Sequence, residues 1–166
     1  MVQIAGKDSG MLRRYELAGI VAALLLGSLA APPLKAQEIT FATPDTLKWV
    51  STPIAPTNRI AWVIGNAQTA GKVYVLFANY PPGGKSMPHT HPDERIVTVL
   101  SGTFYLGSGP TVDESKAKEL KAGSVIVVPP NVVHWAFAKD SEVTIQEIGV
   151  GPSATTPWPR AATPIR

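Results

Sequence analysis

The chain has 166 residues, of which 45% are hydrophobic and 16% charged, so it offers enough apolar material for the core of one ordinary domain. It contains no cysteine, which excludes a disulfide framework, a thiolate metal site and a cysteine nucleophile. The formal net charge of +3 suggests a polyanionic partner, but most of that excess belongs to the N-terminal segment.

We predict that residues 1–36 are a signal peptide. Residues 17–31 are an uncharged run of 15 residues, preceded by two arginines and followed by two prolines. This order of basic, apolar and small-residue regions is typical of a secretion signal. A permanent membrane helix needs about 20 apolar residues, so this run is short for one. Cleavage near Ala36 would leave a periplasmic or secreted protein. Because the cleavage site is imperfect, an uncleaved anchor is the alternative.

The predicted mature protein, residues 37–166, is almost neutral. Removing residues 1–36 takes four of the 15 basic and two of the 12 acidic residues, leaving 11 positive and 10 negative charges on 130 residues. No cluster of lysine or arginine remains in this part of the sequence. A protein that binds nucleic acid through its phosphates needs such a cluster, so we expect no nucleic-acid partner.

The mature sequence predicts many short strands. Residues 37–71 contain β-rich pieces separated by prolines, and we expect them to pack as N-terminal strands on a barrel. Further strands are predicted at residues 72–80, 96–100, 103–106, 125–128, 135–138 and 142–150. Such strands, interrupted by Gly, Pro and Asn, are typical of an all-β sandwich or barrel. We place the core of the domain at residues 72–150.

Three connecting segments carry their own predictions. Ser101-Gly102 joins two predicted strands as a tight hairpin turn. Residues 112–121 are rich in Asp, Glu, Ala and Lys, which predicts one short surface helix. Residues 151–166 contain four prolines and predict an extended strap or a loose end.

All three histidines of the chain lie within one stretch of about 45 residues. His89 and His91 are two residues apart, so on a strand both imidazoles point to the same face, and the prolines on either side stiffen the pair. His134 follows a Pro-Pro-Asn turn and reaches the pair only if the sheet closes on itself. Because imidazole is the commonest metal ligand, we predict a metal site at His89, His91 and His134. Histidines that carry no metal are the alternative.

The glycines and prolines around these histidines complete two known motifs. Gly83, His89-Thr90-His91 and Gly102 match the first motif of the cupin superfamily, G-x5-H-x-H-x3,4-E-x6-G, except at its glutamate. The segment from Gly123 to Ala138 matches the second motif, G-x5-P-x-G-x2-H-x3-N, except at its last glycine and its final asparagine. The resemblance covers about residues 72–150. It implies a single-domain cupin β-barrel of the double-sheet jelly-roll type, with a central metal and a ligand cavity at its mouth.

Two residues of the second motif differ from the cupin pattern without disturbing its spacing. Asn131 stands for the last glycine and Ala138 for the final asparagine. Since Asn tolerates left-handed backbone angles, we expect the turn at Asn131 to keep its shape.

The sequence departs from the cupin pattern most strongly at the fourth metal ligand. The resemblance puts that glutamate where Arg95 stands, and an arginine cannot ligate a metal. A bulge could bring the neighbouring Glu94 to the metal; otherwise three histidines leave open positions, as in the three-histidine iron oxygenases of this superfamily. Arg95 is our candidate catalytic residue, which would hold the carboxylate of an anionic substrate against the metal. In the alternative, Arg95 turns outward and pairs with Asp93, Glu94 or another acid.

These observations predict an exported small cupin that binds one divalent transition metal. Iron, manganese, nickel, copper and zinc are all compatible with imidazole ligands. The protein would be a dioxygenase-type or other metal-dependent enzyme acting on a small anionic or aromatic substrate. The alternative is a non-catalytic cupin that binds a small ligand or a metal for sensing or storage, since fold does not fix function. The resemblance also implies pairing into a homodimer through outer strands, and we interpret Gln146 and Glu147 as a solvated strand edge.

Overall fold

The structure is a computed structural model that describes residues 39–52 and 54–159 as two antiparallel sheets. Its strands in chain order are β1 (Val50–Thr52), β2 (Ala55–Ile64), β3 (Val73–Tyr80), β4 (Lys85–Thr90), β5 (Arg95–Ser101), β6 (Thr103–Ser108), β7 (Lys118–Lys121), β8 (Val125–Val128), β9 (His134–Ala138), β10 (Val143–Val150) and β11 (Thr156–Pro157). The six-stranded sheet has the order β1-β2-β3-β10-β5-β8, and the five-stranded sheet has the order β11-β4-β9-β6-β7. The predicted all-β, double-sheet fold is therefore confirmed.

The predicted signal peptide of residues 1–36 lies outside the described residues. Within the part of the chain that the structure describes, no helix is long and apolar enough to cross a membrane. β1 and β2 extend the six-stranded sheet beyond β3, so the N-terminal strands share hydrogen bonds with the rest of the domain.

The core lies between the inner faces of the two sheets. Along β3, alternate residues Tyr74, Leu76, Ala78 and Tyr80 point inward and are buried, as the period of two in a strand requires. Phe104 of the five-stranded sheet faces them, and its ring packs edge-on against Tyr80 at 5.3 Å. Burial of one such large apolar side chain stabilises the fold by about 1.5–3 kcal/mol, so this contact joins the sheets firmly.

The predicted hairpin at Ser101-Gly102 is wrong. β5 pairs with β10 and β8, whereas β6 pairs with β9 and β7, so the turn carries the chain from one sheet to the other. Gly102 has a φ of 76°, and a Cβ there would collide with the carbonyl oxygen of Glu142. A Gly turn signals a change of direction, but the sequence does not tell whether the two strands remain paired.

The predicted surface helix over residues 112–121 is also wrong. A short 3₁₀ turn at Glu114–Lys116 is followed by β7, which pairs with β6. In β7 the side chain of Leu120 packs against the core while the lysines stay exposed, and this alternation fits an edge strand. Pairing with β6 therefore overrides the helix propensity of the segment.

The segment after β10, for which the sequence left a strap or a loose end open, is extended where the structure describes it. Residues 151–159, which we call the strap, run extended along β4, and β11 pairs there with Thr90 and His89. The backbone N–H of Trp158 donates to the carbonyl oxygen of Pro88 at 2.8 Å. Ser153 is buried, with only 4% of its surface exposed, so the strap is an integral part of the domain.

Candidate metal centre and its cavity

The structure brings the three histidines together at two neighbouring strands of the five-stranded sheet and the segment that follows one of them. His89 on β4 and His134 on β9 are directly paired, and His91 follows the end of β4. One ring nitrogen of each histidine lies within 4.8 Å of one from each of the others. We call these residues the three-histidine group; it is the arrangement that the spacing of the sequence predicts.

The turn before β9 holds the second motif in place. Asn131 has a φ of 63°, which confirms the expectation that Asn adopts the left-handed conformation in place of glycine. Its backbone N–H donates to the carbonyl oxygen of His91 at 2.7 Å. This hydrogen bond ties the turn that introduces His134 to the segment that carries His91.

Each imidazole of the three-histidine group is oriented by a backbone carbonyl. The Nδ1 atoms of His89, His91 and His134 lie 2.6, 3.0 and 2.9 Å from carbonyl oxygens of Met87, Ala154 and Val132, respectively. A carbonyl oxygen only accepts, so each Nδ1 carries the hydrogen and each Nε2 keeps its lone pair. Carbonyl partners of this kind fix the tautomer of metal-binding histidines in known sites.

The electrostatics of the group favour neutral rings. Burial disfavours the imidazolium and lowers the pKa of His89 to about 4 and that of His91 to about 3, with the nearby charge of Arg95 adding to the shift of His91. Burial likewise lowers the pKa of His134. Three neutral imidazoles with free Nε2 atoms form a donor set that fits a divalent transition metal.

The opposite wall of the cavity, on the six-stranded sheet, carries buried charges. Arg95 on β5 donates from Nη1 to Glu147 Oε2 at 2.6 Å and from Nη2 to Ser153 Oγ at 3.0 Å. Its Nε lies 3.7 Å from Oδ1 of Asp93, whose carboxylate also accepts hydrogen bonds from Tyr74 and Ser153. We call Asp93, Arg95 and Glu147 the charged wall.

Within the charged wall, Arg95 and Glu147 stabilise each other's ionised forms. Burial is the largest single effect on Glu147 and raises its pKa, but the charge of Arg95, its hydrogen bond and smaller favourable interactions together outweigh burial and lower the pKa of this carboxyl. Burial and the hydrogen bond to Asp93 raise the pKa of Tyr74 to about 12, so its hydroxyl keeps the proton that it donates. Asp93 and Glu147 thus share one guanidinium.

Glu94, the candidate fourth metal ligand, and Arg95, the candidate catalytic residue, lie in different environments in the structure. Glu94 is exposed and lies outside the three-histidine group. Arg95 is buried, with 5% of its surface exposed, and it points inward. The alternative in which Arg95 pairs with acids predicted that it turns outward. Arg95 does pair with acids, but inside the domain, and Glu147 is its nearest partner.

Glu147 is the residue of this site that the sequence analysis misses. We interpreted it as part of a solvated edge, yet its side chain is only 15% exposed and lines the cavity. The alternation of β10 carried the signal, because Val143 and Ile145 are buried on one face and Glu147 is the next residue on it.

The cavity next to these residues has a volume of about 490 Å³, which suits a small organic molecule. Its polar end contains His89, His91, Arg95 and Glu147, and the strap forms part of its rim through Ser153, Ala154, Thr155 and Pro157. Ile60, Trp62 and Leu76 line the apolar side. A bound molecule would therefore meet an apolar wall and a polar end together.

Fold and site together define a double-sheet β-barrel whose inner cavity gathers three histidines. Residues 76–146 match the family model of the Cupin domain. This match covers 71 of the 166 residues, and it agrees with the two cupin motifs in the sequence and with the jelly-roll cupin fold of the described residues.

Comparison with known proteins supports this assignment over part of the chain. Germin-like protein 8-6 of Oryza sativa subsp. japonica is 43% identical over 63 residues, which are 36% of this chain and 28% of that protein. The match thus spans less than a third of the relative's length. The polyketide cyclase RemF of Streptomyces resistomycificus superposes with a TM-score of 0.63 at 18% identity, covering 76% of this chain and 90% of RemF. The DMSP lyase DddQ of Ruegeria pomeroyi gives a TM-score of 0.56 at 16% identity, covering 68% and 61% of the two chains.

Proposed function

We propose that the protein binds one divalent transition metal through Nε2 of His89, His91 and His134 and presents it to a small molecule in the adjacent cavity. One observation carries the proposal: each Nδ1 is paired with a carbonyl oxygen, so each histidine keeps an unprotonated Nε2. The three rings are also close together, since one ring nitrogen of each lies within 4.8 Å of one from each of the others. Exposed Glu94 is not needed in this ligand set.

The residues around the group have separate tasks. The carbonyls of Met87, Ala154 and Val132 hold the rings, and the apolar side of the cavity excludes water from part of the bound molecule. When bound, the metal would supply a Lewis acid or a redox centre, depending on which of iron, manganese, nickel, copper or zinc it is. Three ligands leave positions open for an oxygen-bearing molecule.

The metal content of the purified protein tests the proposal. We expect close to one equivalent by plasma mass spectrometry in the wild type and less than about a tenth in His134→Ala. Glu94→Gln should keep the wild-type content, and Glu142→Gln, which changes another exposed carboxylate, is the matched control. Less than a tenth of an equivalent in the wild type after reconstitution with each of the five metals would rule the metal site out.

We further propose that the protein is a metal-dependent enzyme of the oxygenase type. The proposal is supported by the position of the three-histidine group beside a cavity that is large enough for a small molecule. Oxygen consumption by iron-loaded protein should exceed that of His134→Ala for at least one compound of a panel of phenols and small acids. Equal rates in both proteins across the panel would favour a non-catalytic binding module.

We also propose that the protein is exported, because residues 17–31 have the composition and flanks of a secretion signal. Expression of the full chain in a bacterial host, followed by fractionation and N-terminal sequencing, should find a periplasmic protein that begins near Gln37. A protein that stays in the cytoplasm with its first residues intact would contradict this.

A further inference from the structure

The charged wall contains one acceptor that no neighbour uses. Oε2 of Glu147 is bound to Nη1 of Arg95, and among the described residues no other group donates a hydrogen bond to this carboxylate. The side chain lines both the main cavity and a smaller pocket of about 30 Å³ that it shares with His89 and His134. Its second oxygen is therefore available to a molecule that lies beside the three-histidine group.

Arg95, by contrast, is already engaged on three sides. Its Nη1 is bound to Glu147 and its Nη2 to Ser153, while its Nε makes no hydrogen bond and is engaged only by the charge of Asp93, whose Oδ1 lies 3.7 Å away. Two carboxylates against one guanidinium give the charged wall a formal charge of −1. A ligand carboxylate would have to displace one of these acids from Arg95, whereas a ligand hydroxyl would gain an ionised acceptor without breaking any contact.

We propose that the cavity takes a neutral molecule with an acidic hydroxyl, such as a phenol or an enol, attached to an apolar body. The inference rests on the metal centre proposed above. The hydroxyl hydrogen is donated to Glu147, the hydroxyl oxygen faces the three-histidine group, and the apolar body lies along Ile60, Trp62 and Leu76. Glu147 is then the residue that selects the ligand, and Arg95 is a positioning residue that holds Glu147.

Three probes of similar size test the proposal on wild-type protein loaded with zinc. Phenol has the hydroxyl hydrogen, anisole keeps the oxygen but lacks that hydrogen, and benzoate carries the negative charge. A hydrogen bond to an ionised acceptor is expected to make phenol bind about 10-fold tighter than anisole by calorimetry. Phenol should also bind tighter than benzoate. Equal affinities for phenol and anisole, a preference for benzoate, or no detectable phenol binding at millimolar concentration would each overturn the proposal.

Substitutions at Glu147 and Arg95 test whether these two residues cause the preference for phenol over anisole. Glu147→Gln should weaken phenol binding about 10-fold and leave anisole unchanged, while Glu142→Gln, the exposed control, should change neither. Arg95→Lys should lower the ratio of phenol to anisole affinity with the metal content retained, which a purely structural role would not do. A wild-type ratio that survives in Glu147→Gln would contradict the assignment, and if that variant does not fold, the wild-type ratio alone decides.

The same samples separate this inference from the metal proposal. Metal content is measured on every preparation before the probes are added. A wild type that takes up no metal refutes the proposed function, whereas a zinc-loaded wild type that prefers benzoate refutes only the choice of ligand.

Discussion

The two walls of the cavity fix their polar side chains in different ways. On the five-stranded sheet, His89 and His134 are each oriented by a carbonyl two residues earlier in the chain. On the six-stranded sheet, Arg95 and Glu147 are oriented by each other, 52 residues apart in sequence, and Ser153 of the strap bonds to Arg95 from 58 residues away.

Because of this difference, a mutation is expected to disturb the side chains of the two walls in different ways. His89 and His134 keep their orientation as long as their own strand or turn is intact, because the partner of each is local. Each member of the charged wall depends on the others, since a buried ion that loses its partner is left in a poorly solvating environment. The strap contacts both walls, through the carbonyl of Ala154 to His91 and through Ser153 to Arg95.

The largest loss of stability is expected from Arg95→Met, which leaves Asp93 and Glu147 buried without their cation. Removing one partner of a buried ion pair costs about 3–5 kcal/mol, and we expect a loss of that size in the free energy of unfolding from urea titrations. Arg59→Met, at an exposed arginine of β2, is the matched control. The double variant Arg95→Met/Glu147→Leu should lose less than Arg95→Met alone, because one of the stranded charges is gone. A loss below about 1 kcal/mol in the single variant would mean that the two carboxylates do not depend on Arg95.

Deleting the strap tests whether the two walls are connected. A chain that ends after Pro152 loses the carbonyl of Ala154 that holds His91. Because outer partners of metal-binding histidines are worth about 10–100-fold in metal affinity, we expect a loss in that range by competition with a chelator. A chain that ends after Pro159 keeps the whole strap and should bind like the full protein. Unchanged affinity in the shorter chain, with its circular dichroism preserved, would show that His91 needs no support from the strap.

A glycine on each sheet separates effects on the cavity from effects on stability. At Gly149 a Cβ would collide with the carboxylate of Asp93 and the hydroxyl of Tyr74, and at Gly107 it would collide with the ring of Trp135. Overpacking of this kind costs about 1–3 kcal/mol, so both Gly149→Ala and Gly107→Ala should lower the melting temperature. Only Gly149→Ala should also weaken phenol binding, because it displaces the charged wall. Equal ligand affinities in the two variants would contradict the division into two walls.

The same difference between local and distant partners explains why one wall could be predicted from the sequence and the other could not. The pair His89 and His91 and the turn at Asn131 belong to motifs whose residues lie close together in sequence, so their resemblance to the cupin motifs was sufficient to predict the three-histidine group and the cupin fold. The partnership of Arg95 with Glu147 depends on β10 lying next to β5 in the sheet. Strand order of this kind is set by tertiary packing and leaves no local signal. The crossing at Gly102 and the strand β7 were missed for the same reason, since each depends on which distant strand is its neighbour.

The smallest effect is expected at Asn131, whose backbone has a φ of 63°. Glycine adopts this conformation freely, so Asn131→Gly should change the free energy of unfolding by less than about 1 kcal/mol and leave metal affinity intact. The backbone N–H that donates to the carbonyl of His91 is retained in that variant. Asn131→Val places a β-branched side chain at a positive φ and should cost about 1–2 kcal/mol. If Asn131→Gly lost metal affinity as well, the Asn side chain would have to support the three-histidine group directly, and that support would be a further local contact on the five-stranded sheet.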